Sequence, residues 1–333
     1  MSLMKGRLNA ASVVFLLLFT LLAAIAVRHF TDGTRLVEVK RTTPALGTFA
    51  TYIVIAEEER APVILNSMDS LARYLDDQLG TFGSGELWEI NQAGAVSTED
   101  MSSEMRYLMD RSLLLARVTD SLFDPSMGAL TSAWGFPHDP RVPDSSTVER
   151  ALAMSGLSSV EYTADSLVLS EGTLLDLGAI AKGYVSDEVF RIAMDRGAGA
   201  ALVEIGGEIR CGGSEAERTW RLAVRDPRSD SILEVLEMEN GAVATSGDYE
   251  SCFFHEGHRY CHILDPRDGY PESGVASVTV VSDNAADCDA LATAIAVGGT
   301  ETAEMVPDSL FRIILVLTED AAGEITEWRR EAE

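Results

Sequence analysis

The stretch Asp176-Leu-Gly-Ala-Ile-Ala-Lys182-Gly-Tyr184, followed by Gly197 and then by Ala200-Ala-Leu-Val-Glu-Ile205-Gly-Gly-Glu-Ile-Arg210, decides the fold class. Gly178 loosens the backbone ahead of a helix, the pattern predicts that helix over about 182–196, and Gly197 ends it. Ala200–Ile205 is a short apolar run that reads as a buried strand. The paired glycines after it make either a tight turn or a place where a ligand or another backbone comes close. Further out, Trp220–Val224, His262–Leu264, Val275–Val281 and Phe311–Leu317 are strand-like, and one more helix fits Ala286–Val297. Upstream, Leu46–Ala56 is β-rich, and Ile64, Leu65, Met68, Leu71, Leu75 and Leu79 recur at helical spacing. Another helix is predicted from about Ser102 to Val118, with Ser97-x-x-Asp100 at its entry, and residues 137–147 read as a loop. There is no internal repeat and no regular alternation of strand and helix. The expected class is α+β, with mixed or antiparallel sheets packed with helices.

The chain has 333 residues, 46% of them apolar, which suffices for a large core and excludes a disordered or collagen-like chain. Its formal charge of −27 repels phosphate backbones, so no nucleic-acid partner is expected. A small anionic ligand would need a local cation. Lys5 and Arg7 precede an apolar run from Ala10 to Val27. At roughly 1.5 Å per residue it can just span a bilayer as a helix. Ala24-Ile-Ala26 also resembles a signal-peptide cleavage site. The length of the run favours an uncleaved anchor. The expected division is a signal anchor or signal peptide over 1–27, a juxtamembrane linker over 28–43 and one folded unit over 44–333. The folded unit is expected on the outer face of the cytoplasmic membrane, and not as a lipoprotein, since the first cysteine is Cys211.

Cys211, Cys252, Cys261 and Cys288 form no CxxC, which argues against structural zinc. Ser251 to Cys261 reads as a hairpin with Glu256-Gly257 as its loop. In that register His255 faces His258, and Cys252 faces Cys261 on a non-hydrogen-bonded pair, close enough for either a disulfide or two thiols.

Four constellations carry possible chemistry. Around Asp176–Tyr184, free N–H groups and Lys182 at a helix start suit an anion. Ile205-Gly-Gly-Glu-Ile-Arg210 offers close backbone approach. Ala244-Thr-Ser246-Gly247-Asp248-Tyr249 and His262-Ile-Leu-Asp-Pro-Arg-Asp-Gly269 bring hydroxyls, a carboxylate and one of only five histidines. In Asp287-Cys-Asp289-Ala-Leu-Ala-Thr293, Asp289 and Thr293 share a helix face and offer hard oxygens to Mg²⁺, whereas Asp287 points elsewhere. Taken singly, each has a plain structural reading as a turn, a cap or a core histidine.

In this order, together with Leu46-Gly-Thr48, Phe82 to Asn91, Phe123-Asp-Pro125, Trp134-Gly-Phe136 and Trp220 to Pro227, these stretches resemble the ApbE family, the FAD:protein FMN transferases. The resemblance runs from about Leu46 to Leu317. It implies a Mg²⁺-dependent enzyme that moves the FMN half of FAD to a threonine hydroxyl of a target protein and releases AMP. Family targets are flavin-carrying subunits of membrane electron-transfer or ion-pumping complexes. The resemblance assigns the metal to Asp289, Thr293 and the carbonyl of Ala179. It assigns FAD to Leu46, Phe82, Leu122, Phe123, Asp124, Asp176, Lys182 and His262, with Ser246, Gly247 and Asp248 in a further family motif. His262 and Asp248 are the two candidate bases. Leu46 and Phe82 depart from the family's usual Met and Tyr. The competing readings are an FAD pyrophosphatase, a flavin carrier without chemistry, and an anchored structural protein.

Overall fold

The computed structural model describes residues 35–81, 83–213, 219–229, 231–320 and 322–332. The apolar run Ala10–Val27 and the site candidate Phe82 lie outside them. Among the described residues no helix is long and apolar enough to cross a membrane.

In chain order the elements are β1 (Leu36–Ala45), β2 (Thr48–Glu57), α1 (Ala61–Leu79), α2 (Glu86–Ala93), β3 (Ala95–Ser97) and α3 (Ser103–Val118). Then come α4 (Gly128–Trp134), α5 (Ser145–Ala153), β4 (Val160–Tyr162), β5 (Ser166–Leu169), α6 (Gly178–Asp195), β6 (Ala200–Ile205) and β7 (Glu208–Gly213). The chain continues through β8 (Trp220–Arg225), β9 (Ile232–Met238), β10 (Gly241–Gly247), β11 (Phe253–His255), β12 (His258–Tyr260) and β13 (Val275–Ser282). It closes with α7 (Ala285–Met305), β14 (Ile313–Glu319) and β15 (Ile325–Glu331). Eight strands form one sheet in the order β1-β2-β6-β7-β10-β13-β14-β15, every neighbouring pair antiparallel. The α+β class with antiparallel sheet holds.

Alternation along the strands sorts the core into two layers. Tyr52, Val54, Val203, Ile205, Ala242, Ala244, Val278, Val280, Ile314 and Val316 face the helices α1, α6 and α7. Ile55, Leu202, Val243, Val281, Leu315 and Leu317 face the β8–β9 ribbon, which adds Trp220, Leu222 and Leu236. A third cluster, around the fully buried Trp134 on α4, joins α4 and α5 to Leu264.

Several boundaries differ from the sequence reading. The linker expected over 28–43 is, from Leu36 onward, strand β1, paired with β2 from Leu36↔Glu57 to Ala45↔Thr48. Arg41 is bound into the fold through the buried Asp69 of α1, at 2.5 Å. The cap of α3 is the Ser102 side chain, which accepts from the Met105 N–H, and not the Ser97/Asp100 pair. Helix α6 starts at Gly178, so Lys182 stands in its second turn. Residues 262–264 form only an isolated bridge, Leu264↔Pro271, because the chain turns at once through Asp265. The hairpin register of β11–β12 is as expected, with His255 opposite His258. Cys252 and Cys261 are separate thiols, the first directed at the Tyr249 carbonyl and the second at those of Ile263 and Glu272.

Candidate active site at the crossing of two helices

Gly183 lies where α6 crosses α7, and a Cβ there would overlap the Ala285 carbonyl. The missing side chain therefore lets the two helices meet backbone to backbone. Asp187, one turn along α6, completes the joint by accepting from the Ala285 and Ala286 N–H groups at 3.0 and 3.1 Å. These are orphan donors of the first turn of α7. Burial pushes the Asp187 carboxyl up to about 7. Asp287 faces away, into an ion pair with Arg111 on α3.

That close crossing carries Asp289, which is buried, onto α6. Its Oδ2 accepts from the Gly183 N–H at 3.0 Å, and its Oδ1 lies 3.3 Å from Lys182 Nζ. In a helix the Gly183 N–H is the regular partner of the Ala179 carbonyl. Here it donates to Asp289. Thr293, one turn beyond Asp289, is half-buried.

The third member of the cluster is Glu208, the first residue of β7. Ile205-Gly206-Gly207-Glu208 is a two-residue hairpin turn with both glycines at positive φ, 64° and 109°, so the tight-turn reading holds. The turn also allows close approach, since Gly206 sits against Thr48 and the Lys182 stem. Along β7, Glu208 and Arg210 point to the helix side and meet Lys182 and Asp187 on α6, at 2.8 and 3.5 Å. Glu208 Oε2 is buried without a hydrogen-bond partner among the described residues. Burial pushes the Glu208 carboxyl up, against the opposing pull of Lys182. Burial alone would depress the Lys182 ammonium, but the Asp289 and Glu208 charges outweigh it and hold its pKa above that of an ordinary lysine. The sequence reading took this motif for its glycines and missed Glu208.

His262 is open to solvent but ringed by protein, with Phe136 edge-on at a ring separation of 6.4 Å. Its Nδ1 is 3.2 Å from the Glu250 carbonyl. A carbonyl can only accept, so Nδ1 carries the proton and Nε2 is left with its lone pair. The protein around the ring, and then the Lys182 ammonium, push the His262 pKa down to about 4. Near neutral pH the ring is therefore uncharged and able to accept a proton. Glu250, also missed in the sequence, lies within electrostatic reach of Lys182 and Asp289, and burial pushes its carboxyl up to about 7.

Asp176 sits at the entry of α6, where its Oδ1 accepts from the Gly178 N–H at 2.9 Å and the Thr81 hydroxyl at 3.3 Å. Leu46 heads the β1–β2 turn at φ 48°, a conformation costing about 1 kcal/mol for a residue with a side chain. Its N–H donates to Asp76 on α1. The Thr48–Gly206–Lys182 contacts place this turn on the rim of the cluster. Leu122 packs on Gly298 of α7.

Three expected site residues are engaged elsewhere. Phe123 is buried in the helix-side core, and Asp124 is tied up by the Ser126 N–H and hydroxyl. Asp248 is held by Arg228 through two 2.8 Å contacts and by Arg259, lining a pocket of about 150 Å³. Asp248 is thus engaged by two guanidiniums, whereas His262 Nε2 keeps its lone pair. Ser246 follows Ala244 onto the helix side of β10, and Gly247 packs against the Tyr249 ring.

Asp289, Thr293 and the Ala179 carbonyl offer oxygen only, which suits a small hard cation. Among the described residues no three His, Cys, Asp or Glu side chains are arranged to hold a metal. An ion at Asp289 would draw its remaining ligands from the hydroxyl, the backbone and the substrate.

Residues 46–312 match the family model described as the ApbE family. The chain belongs to the ApbE family. It is 31% identical over 300 residues to an FAD:protein FMN transferase of Vibrio cholerae, covering 86% of this chain and 90% of that relative. The ApbE protein of Thermotoga maritima superposes with a TM-score of 0.80 at 31% identity, over 87% of this chain and 96% of that one. The flavin transferase ApbE of Vibrio cholerae gives 0.78 at 26% identity, over 90% and 98%.

Proposed function

We propose that this ApbE-family chain is an FAD:protein FMN transferase, and that its acceptor is a threonine hydroxyl on a flavin-carrying subunit of a membrane complex. The observation that carries the reading is one ammonium, Lys182, shared between two buried carboxylates beside an uncharged His262. Lys182 is already engaged by Asp289 and Glu208, so a pyrophosphate arriving there would call for a further cation. Asp289, Thr293 and the Ala179 carbonyl would hold Mg²⁺, which supplies Lewis-acid charge to the pyrophosphate oxygens when bound.

The protein's own residues do the rest. The Lys182 ammonium stands ready to neutralise charge that builds on the phosphate oxygens as the bond to AMP breaks. His262 Nε2 takes the proton from the threonine hydroxyl as its oxygen forms the new bond to the FMN phosphorus. The pyrophosphate P–O bond breaks, and AMP departs with the bridging oxygen and its electron pair. The turn at Leu46-Gly47 and the Gly206-Gly207 turn orient the substrate, which is most of what phosphoryl transfer asks of a protein. The apolar run Ala10–Val27 would hold the catalytic unit at the outer face of the cytoplasmic membrane, beside its acceptor.

The test is to incubate the protein with FAD, MgCl₂ and a threonine-containing acceptor domain, reading covalent flavin on the acceptor by in-gel fluorescence and free FMN and AMP by chromatography. Labelled acceptor that disappears with EDTA supports the proposal. FMN and AMP without labelled acceptor would point to hydrolysis, and bound, intact FAD to a carrier.

A further inference from the structure

Lys182 touches both carboxylates of the cluster, but unequally. It is 2.8 Å from Glu208 Oε1 and 3.3 Å from Asp289 Oδ1. Its side chain is 28% exposed, whereas those of Glu208 and Asp289 are 4% and 2% exposed. The second oxygen of Asp289 is already taken by the Gly183 N–H. Oδ1 has no backbone donor of this kind, and the ammonium stands on it where an incoming cation would compete for it. Glu208 Oε2 is the opposite case, a buried acceptor with no donor among the described residues. A buried carboxylate oxygen left without a partner is costly, so it is a ready place for a neighbouring ammonium to settle.

We infer that Glu208 is a positioning residue that holds the Lys182 ammonium when a divalent cation displaces it from Asp289. The inference rests on the reading of Asp289 as a cation ligand. Without Glu208 the ammonium keeps, among the described residues, Asp289 as its contact partner and Glu250 only at longer range, and an incoming ion must take that contact away. With Glu208 the exchange is a short move from shared contact to full contact with one partner. Glu208 thus acts on the cation through Lys182 and not by coordinating it. The pair also keeps the ammonium in the site after the exchange, where it can face the substrate phosphates.

The experiment is a Mn²⁺ titration of the full chain without FAD, followed by electron paramagnetic resonance, for wild type, Glu208→Gln, Lys182→Met, the double variant and Asp289→Asn. Glu208→Gln should weaken Mn²⁺ binding by about tenfold, within the range for residues that support metal ligands. Lys182→Met should tighten binding, and adding Glu208→Gln to it should change nothing more. Glu208→Asp keeps the charge but withdraws it by one methylene, and should show a smaller weakening. It also serves as the second variant should Glu208→Gln lose its thermal unfolding transition. Equal weakening by Glu208→Gln with and without Lys182 would overturn the inference and make Glu208 a direct ligand. Unchanged affinity in Glu208→Gln would overturn it as well. If Asp289→Asn binds Mn²⁺ like wild type, the metal reading itself fails, a result distinct from either.

Discussion

Two carboxylates that stand out alike in the sequence, Asp289 and Asp248, have opposite surroundings in the fold. Asp248 receives a bidentate Arg228, a second guanidinium from Arg259 and, through Arg228, a link to Glu319. Its charge is matched and its oxygens are used. Asp289 shares a single ammonium with Glu208, and one acceptor of that trio has no hydrogen-bond partner among the described residues. The first cluster ties the β11–β12 hairpin to β14 and closes. The second holds one ammonium between two buried carboxylates and leaves an acceptor open. The chemistry of a carboxylate follows from how many donors its neighbours bring, and those neighbours come from distant segments.

The contrast can be broken by substitution. Removing the carboxylate in Asp289→Ala should have the largest effect, lowering Mg²⁺-dependent flavin transfer by on the order of 10³-fold, as for loss of a principal charge-stabilising group. Transfer at the wild-type rate would return Asp289 to a structural role. Gly183→Ala comes next. Its methyl group forces α6 and α7 apart, so activity should fall by about 100-fold from misplacement of Asp289. Stability should fall by about 1–3 kcal/mol, read from urea unfolding. An unchanged melting curve with full activity would mean the crossing is looser than described.

At the closed cluster the pattern reverses. Asp248→Asn should cost about 1–3 kcal/mol of stability, since it leaves two guanidiniums short of a counter-charge. Turnover at saturating FAD should stay within about threefold, a small change on the scale of 1.4 kcal/mol per tenfold in rate. A loss as large as that of Asp289→Ala would make Asp248 part of the chemistry.

The smallest effect sharpens the role of His262. Its pKa of about 4 lies below the ordinary histidine value because protein surrounds the ring and Lys182 is near. Protonation removes the lone pair on Nε2, so the limb of the rate profile due to His262 should appear only as pH falls toward 4. Between pH 6 and 8 its NMR ring signals should barely shift. A midpoint near the ordinary value would place the ring away from Lys182.

Much of this protein was legible without coordinates. Hydrophobic period marked the helices now called α1, α3, α6 and α7, and the strands β6, β8, β13 and β14, because burying one face of an element imposes its spacing on the chain. The i, i+4 pairing of Asp289 with Thr293 and the register of the β11–β12 hairpin are local geometry and could be read directly. Strand β1 was missed because its alternation of half-buried and exposed residues, with Lys40 and Arg41 inside it, looks like a polar link until β2 and Asp69 are beside it. Only the tertiary structure decided that Glu208 completes the Lys182 pair, that Gly183 is small because Ala285 presses on it, and that Asp124 and Asp248 are occupied. Periodicity and turn chemistry act between neighbours in sequence. Charge balance, desolvation and helix contact act between residues that only folding brings together.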